Sequence, residues 1–163
     1  MHNRPLISTR QELFESFAVE TCARLCKSGT GPTRLTVKQI DMTREAFAAW
    51  LETYGRAWEA RDAKAAAELY AEDATYQVTP FLEPMRGRAA IFEYWTHVAQ
   101  TEENIQFGYE MLALTPEQGI ARWWASFVIV PRRLKTKLDG IFVIVLDDEG
   151  RCTQLREWWH KQQ

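Results

Sequence analysis

Metal and disulfide chemistry have little to work with here, because the 163 residues include only three cysteines and three histidines. Cys22 and Cys26 sit four apart in C-A-R-L-C, with no second pair and no neighbouring His. A zinc site needs about four ligands, so a metal or other cofactor is not expected. The third cysteine is Cys152; an odd count without a signal-peptide pattern points to a reducing, cytoplasmic setting. Neither charge sign dominates. Twenty Lys and Arg stand against 22 Asp and Glu, a net −2, which offers nothing to nucleic acid or to an anionic membrane. No run approaches the roughly 20 apolar residues of a membrane span. Phosphate-cradling glycine loops, a G-x-S-x-G nucleophile turn, internal repeats and low-complexity tracts are also missing.

What is present is aromatic. Phe, Trp and Tyr make up 12% of the chain, and the seven Trp crowd towards its second half, as an aromatic-lined interior requires. Length suits one domain, and 46% hydrophobic with 26% charged residues is ordinary globular composition. The organising stretch is A-R-W-W-A-S-F-V-I-V-P over residues 121–131. Its β-branched and aromatic character, with Pro only at the end, predicts a long strand. Alternation puts Ala121, Trp123, Ala125, Phe127 and Ile129 on one face, large beside small, as in a wall that leaves room for something. Arg122, Trp124, Ser126, Val128 and Val130 take the other face.

Residues 1–41 differ from the rest: six Lys and Arg against four acids, where the remainder has 14 against 18. Residues 11–27 fit an amphipathic helix with Leu13, Phe14, Phe17, Cys22 and Leu25 on one stripe, followed by the loop S-G-T-G-P-T. The expectation is a dispensable appendage, with a domain over 42–163. Thr43 is placed to cap a helix in which Phe47, Trp50, Leu51, Tyr54 and Trp58 share a face. An Ala-rich helix through Ala67, Leu69 and Tyr70 follows, then a short strand over 75–79. P-M-R-G-R reads as a turn into a third helix bearing Ile91, Phe92, Trp95 and Val98. Strands are expected over 105–114, 121–131, 138–146 and 152–160, with D-D-E-G as the last hairpin turn. The order α-α-β-α-β-β-β-β, with helices on one face, is an α+β architecture.

Five words then appear in order: Y-x-x-A-W-E-A-R-D, L-Y-A-E-D-A-T-Y, R-G-R-A-A-I, D-D-E-G-R and R-E-W-W-H. Over about 120 residues this series resembles the nuclear transport factor 2-like superfamily, and its SnoaL-like branch in particular. The resemblance implies a cone-shaped, curved mixed sheet wrapped around the long N-terminal helix of the domain, enclosing a cavity. It says less about activity, since the superfamily includes ketosteroid isomerase, scytalone dehydratase, epoxide hydrolases, polyketide cyclases and non-catalytic binders. It places Trp123, Ala125, Phe127, Leu138, Gly140, Phe142, Leu155, Glu157, Trp159, Tyr76 and Val78 on the cavity wall, with Trp58 and Trp95 offered by the helices. Tyr54 resembles the oxyanion-donor tyrosine of ketosteroid isomerase. That enzyme's base aligns with Val78 and its second acid with Phe142 or nearby, so ketosteroid isomerisation itself is not implied. His160 falls near the SnoaL-like acid/base position, which is normally Asp.

Glu157 breaks the apolar face of the last strand, between Leu155 and Trp159. Loss of hydration there raises a carboxyl pKa and suits it to proton transfer; alternatively an Arg or a backbone N–H satisfies it. Tyr54 and Tyr76 read either as core aromatics or as hydroxyl donors to the cavity. His97 and Asp139 are expected on the surface. The basic run Arg132, Arg133, Lys135, Lys137 is either a solvated turn or an attractor for an anionic ligand. Two functions fit these residues. One is cofactor-free proton transfer of isomerase, cyclase or dehydratase type on a small apolar or aromatic ligand, with Glu157 as base and Tyr54 as donor. The other is a binding or accessory protein without chemistry, in which an Arg locks Glu157. The face carrying Trp124, Val128, Val130, Ile141, Val143, Val145 and Trp158 is too apolar for a monomer to leave wet. It is expected to form a homodimer, with the stripe around Phe14 and Phe17 as the competing cover.

Overall fold

The Thr43 hydroxyl accepts from Ala46 N at 3.1 Å and caps helix α1, Arg44–Glu59, with Glu45 in the first turn. The computed structural model describes residues 42–162. The expected N-terminal appendage, with its helix over 11–27, lies outside the described residues. Phe47, Trp50, Leu51, Tyr54 and Trp58 form the buried stripe of α1, as their spacing predicts. Arg61, at φ 56, turns the chain into α2, Ala63–Glu68, which Asp62 caps through Ala65 N at 2.9 Å. Strand β1, Tyr70–Gln77, follows at once. The two-residue strand β2, Met85–Arg86, precedes helix α3, Arg88–Thr101. Strands β3 (Glu102–Leu114), β4 (Gly119–Ile129), β5 (Leu134–Leu146) and β6 (Cys152–Gln162) complete the chain.

The six strands form one curved, open sheet in the order β2-β1-β6-β5-β4-β3. It is mixed, because β1 and β6 pair in parallel while every other neighbour is antiparallel. Trp123, Ala125 and Phe127 are buried on the inner face, against α1 and α3, while Arg122 and Trp124 are exposed on the outer one. Helix α1 comes close to β3 at Gly55, where a Cβ would lie 2.5 Å from Phe107 Cδ1. The aromatic stripe closes the core; burying each such side chain contributes about 1.5–3 kcal/mol.

Several boundaries differ from the sequence reading. β4 spans Gly119–Ile129 rather than 121–131, β5 starts at Leu134 rather than 138, so that Lys135 and Lys137 of the basic run lie in a strand, and β6 runs on to Gln162. β1 starts at Tyr70, because a register shift between Tyr70 and Thr75 hides the two-residue period. Met85–Arg86 pairs with Thr75 and Tyr76 instead of merely turning, too short a strand to leave a pattern. β3 starts at Glu102, three residues earlier than expected, because a bulge interrupts its alternation. Asn104 and Ile105 together stand opposite Phe127, since Glu103 pairs with Val128 and Gln106 with Ser126.

Candidate active site

Glu157 sits on β6 opposite Phe142 of β5, on the sheet's inner face and only 3% exposed. Its Oε1 accepts a 2.6 Å hydrogen bond from the Tyr76 hydroxyl of β1. Among the described residues it has no Arg or Lys partner; neighbouring Arg156 faces the other way, over the Trp158 ring at 5.9 Å. Burial pushes the Glu157 carboxyl up to about 8, with the Tyr76 hydrogen bond pulling the other way. At neutral pH this group holds its proton.

Around it stand three phenols from three elements. Tyr54 comes from α1, Tyr76 from β1 and Tyr94 from α3, with the Tyr76 and Tyr94 rings 5.5 Å apart, edge to face. Burial drives the pKa of all three upwards, and Glu157 adds to the shift in each case. They therefore stay protonated and serve as hydrogen-bond donors throughout the physiological range. A hydrogen bond with Tyr76 works against the shift of Tyr54, so these hydroxyls form one network ending on Glu157.

The network opens into a cavity of about 170 Å³. Trp58, Trp95, Trp123, Phe127 and Trp159 supply its aromatic wall, and Val78 joins them at one edge. Trp159 is anchored by its indole N–H, which donates to the Val78 carbonyl at 2.9 Å. Glu102, Lys161, Ile129 and Leu138 line it as well. The Trp58 indole N–H donates to Glu102 Oε2 at 2.9 Å. Burial raises the Glu102 carboxyl to about 7, opposed by that hydrogen bond and by the charge of Lys161.

Of the residues singled out in the sequence, Tyr54, Trp58, Tyr76, Val78, Trp95, Trp123, Phe127, Glu157 and Trp159 are brought together on this one cavity. Phe142 and Leu155 are fully buried behind the wall rather than in it; Phe142 stacks on Trp123 with ring centroids 4.9 Å apart. Gly140 is likewise filled from within, since a Cβ there would lie 3.0 Å from Trp123 Nε1. His160 is not part of the site. It pairs in register with Asp139 and is exposed on the outer face, because alternation from Glu157 and Trp159 turns it away. The basic run takes no place in the cavity either: Arg133 pairs with Glu103 at 2.9 Å. The cation at the site is Lys161. Tyr94, Glu102 and Lys161 were missed by sequence reasoning. Tyr94 carried the signal of i, i+3 spacing from Ile91, and Lys161 that of alternation from Trp159; Glu102 carried none.

Among the described residues no three His, Cys, Asp or Glu side chains group as a metal site requires. No helix among them is long and apolar enough to cross a membrane. The arrangement offers a protonated carboxyl, phenol donors and aromatic walls, the parts needed to move a proton and steady the resulting oxyanion.

The sequence profile of the SnoaL-like domain matches residues 42–155. Solved structures share the fold. One is SalBIII, an epoxide hydrolase/cyclase-like enzyme with a role in pyran ring formation in the polyether salinomycin. It is 23% identical at TM-score 0.59, over 71% of this chain and 88% of that one. A second is a Mycobacterium tuberculosis protein, 15% identical at TM-score 0.64, over 74% and 98% of the two chains. A third is an LEH-like epoxide hydrolase of M. tuberculosis, 15% identical at TM-score 0.60, over 71% and 84%. No curated protein matches the chain by sequence.

Proposed function

Because this chain belongs to the SnoaL-like domain family, we propose that it is a cofactor-free proton-transfer enzyme of isomerase, cyclase or dehydratase type. One observation carries the reading: a buried carboxyl, Glu157, faces an aromatic cavity with a phenol as its hydrogen-bond partner and, among the described residues, no Arg or Lys paired with it. A carboxylate kept only to anchor the fold is ordinarily paired with Arg or Lys, since burying it alone costs several kcal/mol. Here the cost is offset by keeping the proton, which leaves an acid at neutral pH and a base above about 8. Tyr76 holds the carboxyl in place. Tyr54 and Tyr94 complete the donor set that meets negative charge developing on a ligand oxygen.

The cavity sets the ligand. About 170 Å³ suits one ring or two small fused rings, since a cavity of about 150 Å³ holds benzene. Flat, apolar rings bearing one oxygen function match walls of Trp and Phe with donors at one end. The fold of the epoxide hydrolase/cyclase-like SalBIII enzyme is compatible with chemistry of this kind. A panel of such compounds, screened by thermal shift and then for turnover with wild type and Glu157→Gln, tests the reading. Binding with turnover that the substitution removes supports it. Binding in both proteins with turnover in neither favours the accessory-protein alternative.

We also propose that the chain acts as a two-fold dimer through the outer sheet face. Trp124 and Trp158 are exposed there, at 42% and 41%, beside half-buried Val128, Ile141 and Val143.

A further inference from the structure

Glu102 lies at the junction of α3 and β3, where its backbone N–H still bonds to Val98 O. Strand parity alone would turn its side chain away from the cavity. Phe107 points inward opposite Ala125, and Glu102 lies five positions before it, an odd offset. The bulge restores the parity. With Asn104 at φ 55 and one residue extra, Glu102 comes opposite Ile129 and faces in, while Glu103 turns out to Arg133. The left-handed conformation is one that Asn tolerates better than most residues.

We propose that Glu102 is the second acid–base group of this cavity, aimed into it by the bulge at Asn104, and that the site takes a flat ring compound with an acidic C–H next to an oxygen function. The inference rests on the proton-transfer reading above and assigns the complementary role. Glu102 faces Lys161 of β6 and the Trp58 N–H of α1, and its charge reaches Tyr54 and Tyr94. Glu157 has the Tyr76 phenol as its hydrogen-bond partner and, among the described residues, no Lys or Arg paired with it. Glu102 is therefore the first to ionise and the carboxylate available as base near neutral pH; Glu157 is the acid. The carboxylate of Glu102 takes the proton from carbon, and the C–H bonding pair becomes a C=C bond as the neighbouring oxygen gains charge. Glu157 delivers its proton to that oxygen or to a conjugated carbon. The substrate keeps its formula, and exchange of one proton with water returns both carboxyls to their starting forms.

5-Nitrobenzisoxazole is a probe of the right chemistry. Loss of its C–H proton to a base breaks the N–O bond and releases a coloured phenolate. Binding is read separately, by quenching of the cavity tryptophans. Wild type is expected to quench and to turn the probe over, with a rate rising through an apparent pKa near 7. Glu102→Gln should lower the rate by roughly 100-fold or more, the scale of a positioned base, whereas Glu157→Gln, which removes the acid but leaves the base, should lower it less and keep the rise near pH 7. Trp58→Phe keeps the ring but removes the N–H donor, and should move the profile to higher pH. It also serves if Glu102→Gln fails to fold. Quenching without turnover, or turnover lost in Glu157→Gln but kept in Glu102→Gln, overturns the role of Glu102 and leaves the cavity reading standing. No quenching at all removes both.

Discussion

Glu157 and Glu102 show how far one side chain's surroundings decide its chemistry. Both are glutamates on strands, and both have raised pKa values because burial disfavours the ion. Their partners separate them: a phenol for one, an indole N–H and a lysine for the other. A stability signature follows. Between the ordinary value near 4.5 and about 8, the unfolded chain has lost the Glu157 proton and the folded chain has kept it. The folded state then binds more protons, so stability falls as pH rises through that window and levels off above it. The loss is on the order of a few kcal/mol. Denaturant titrations of wild type and Glu157→Gln across pH 4–9 should show the variant with a flatter profile and a relative gain at high pH. Parallel profiles would place the carboxyl in water. Glu157 was legible in the sequence because a charge on an alternating apolar face stands out. Its Tyr76 partner was legible only as a cavity residue, since pairing β1 with β6 joins positions 81 residues apart.

At the scale of elements, the bulge in β3 matters most. It was invisible in the sequence because it erases the two-residue period by which strands are recognised, and the reading accordingly began β3 at Ile105. The long helices and central strands were legible for the opposite reason: α1 and β4 keep their periods unbroken, and their faces fall where the pattern predicts. Asn104 offers the test. Asn104→Gly suits φ 55 and should leave stability within about 0.5 kcal/mol of wild type. Asn104→Val places a β-branched residue in the left-handed region and should cost about 1–2 kcal/mol. Thermal unfolding of the two variants checks the order. Equal melting temperatures would mean that the backbone does not hold this conformation in solution.

For the whole molecule, one curved sheet serves two purposes, with a cavity on its inner face and an apolar outer face. On the outer face the polar groups are partly matched within the chain: Arg122 bonds to Asp139 at 2.6 Å and lies over the Trp124 ring at 5.4 Å. A paired, ordered surface of this kind loses little side-chain freedom on association, which favours a specific interface. Light scattering at micromolar concentration should give twice the 19.0 kDa chain mass. Ile141→Glu, in the middle of the patch, should return the chain mass with the fold intact. A wild-type protein that scatters as a monomer would exclude the dimer without touching the cavity.

Glu157 waits in an aromatic cavity with its proton on. Carbon-13 NMR of protein labelled at the glutamate side-chain carboxyls reads this directly, with the Glu157 signal identified by its loss in Glu157→Gln. The expected titration midpoint is near 8. A midpoint near the ordinary 4.5 would contradict it.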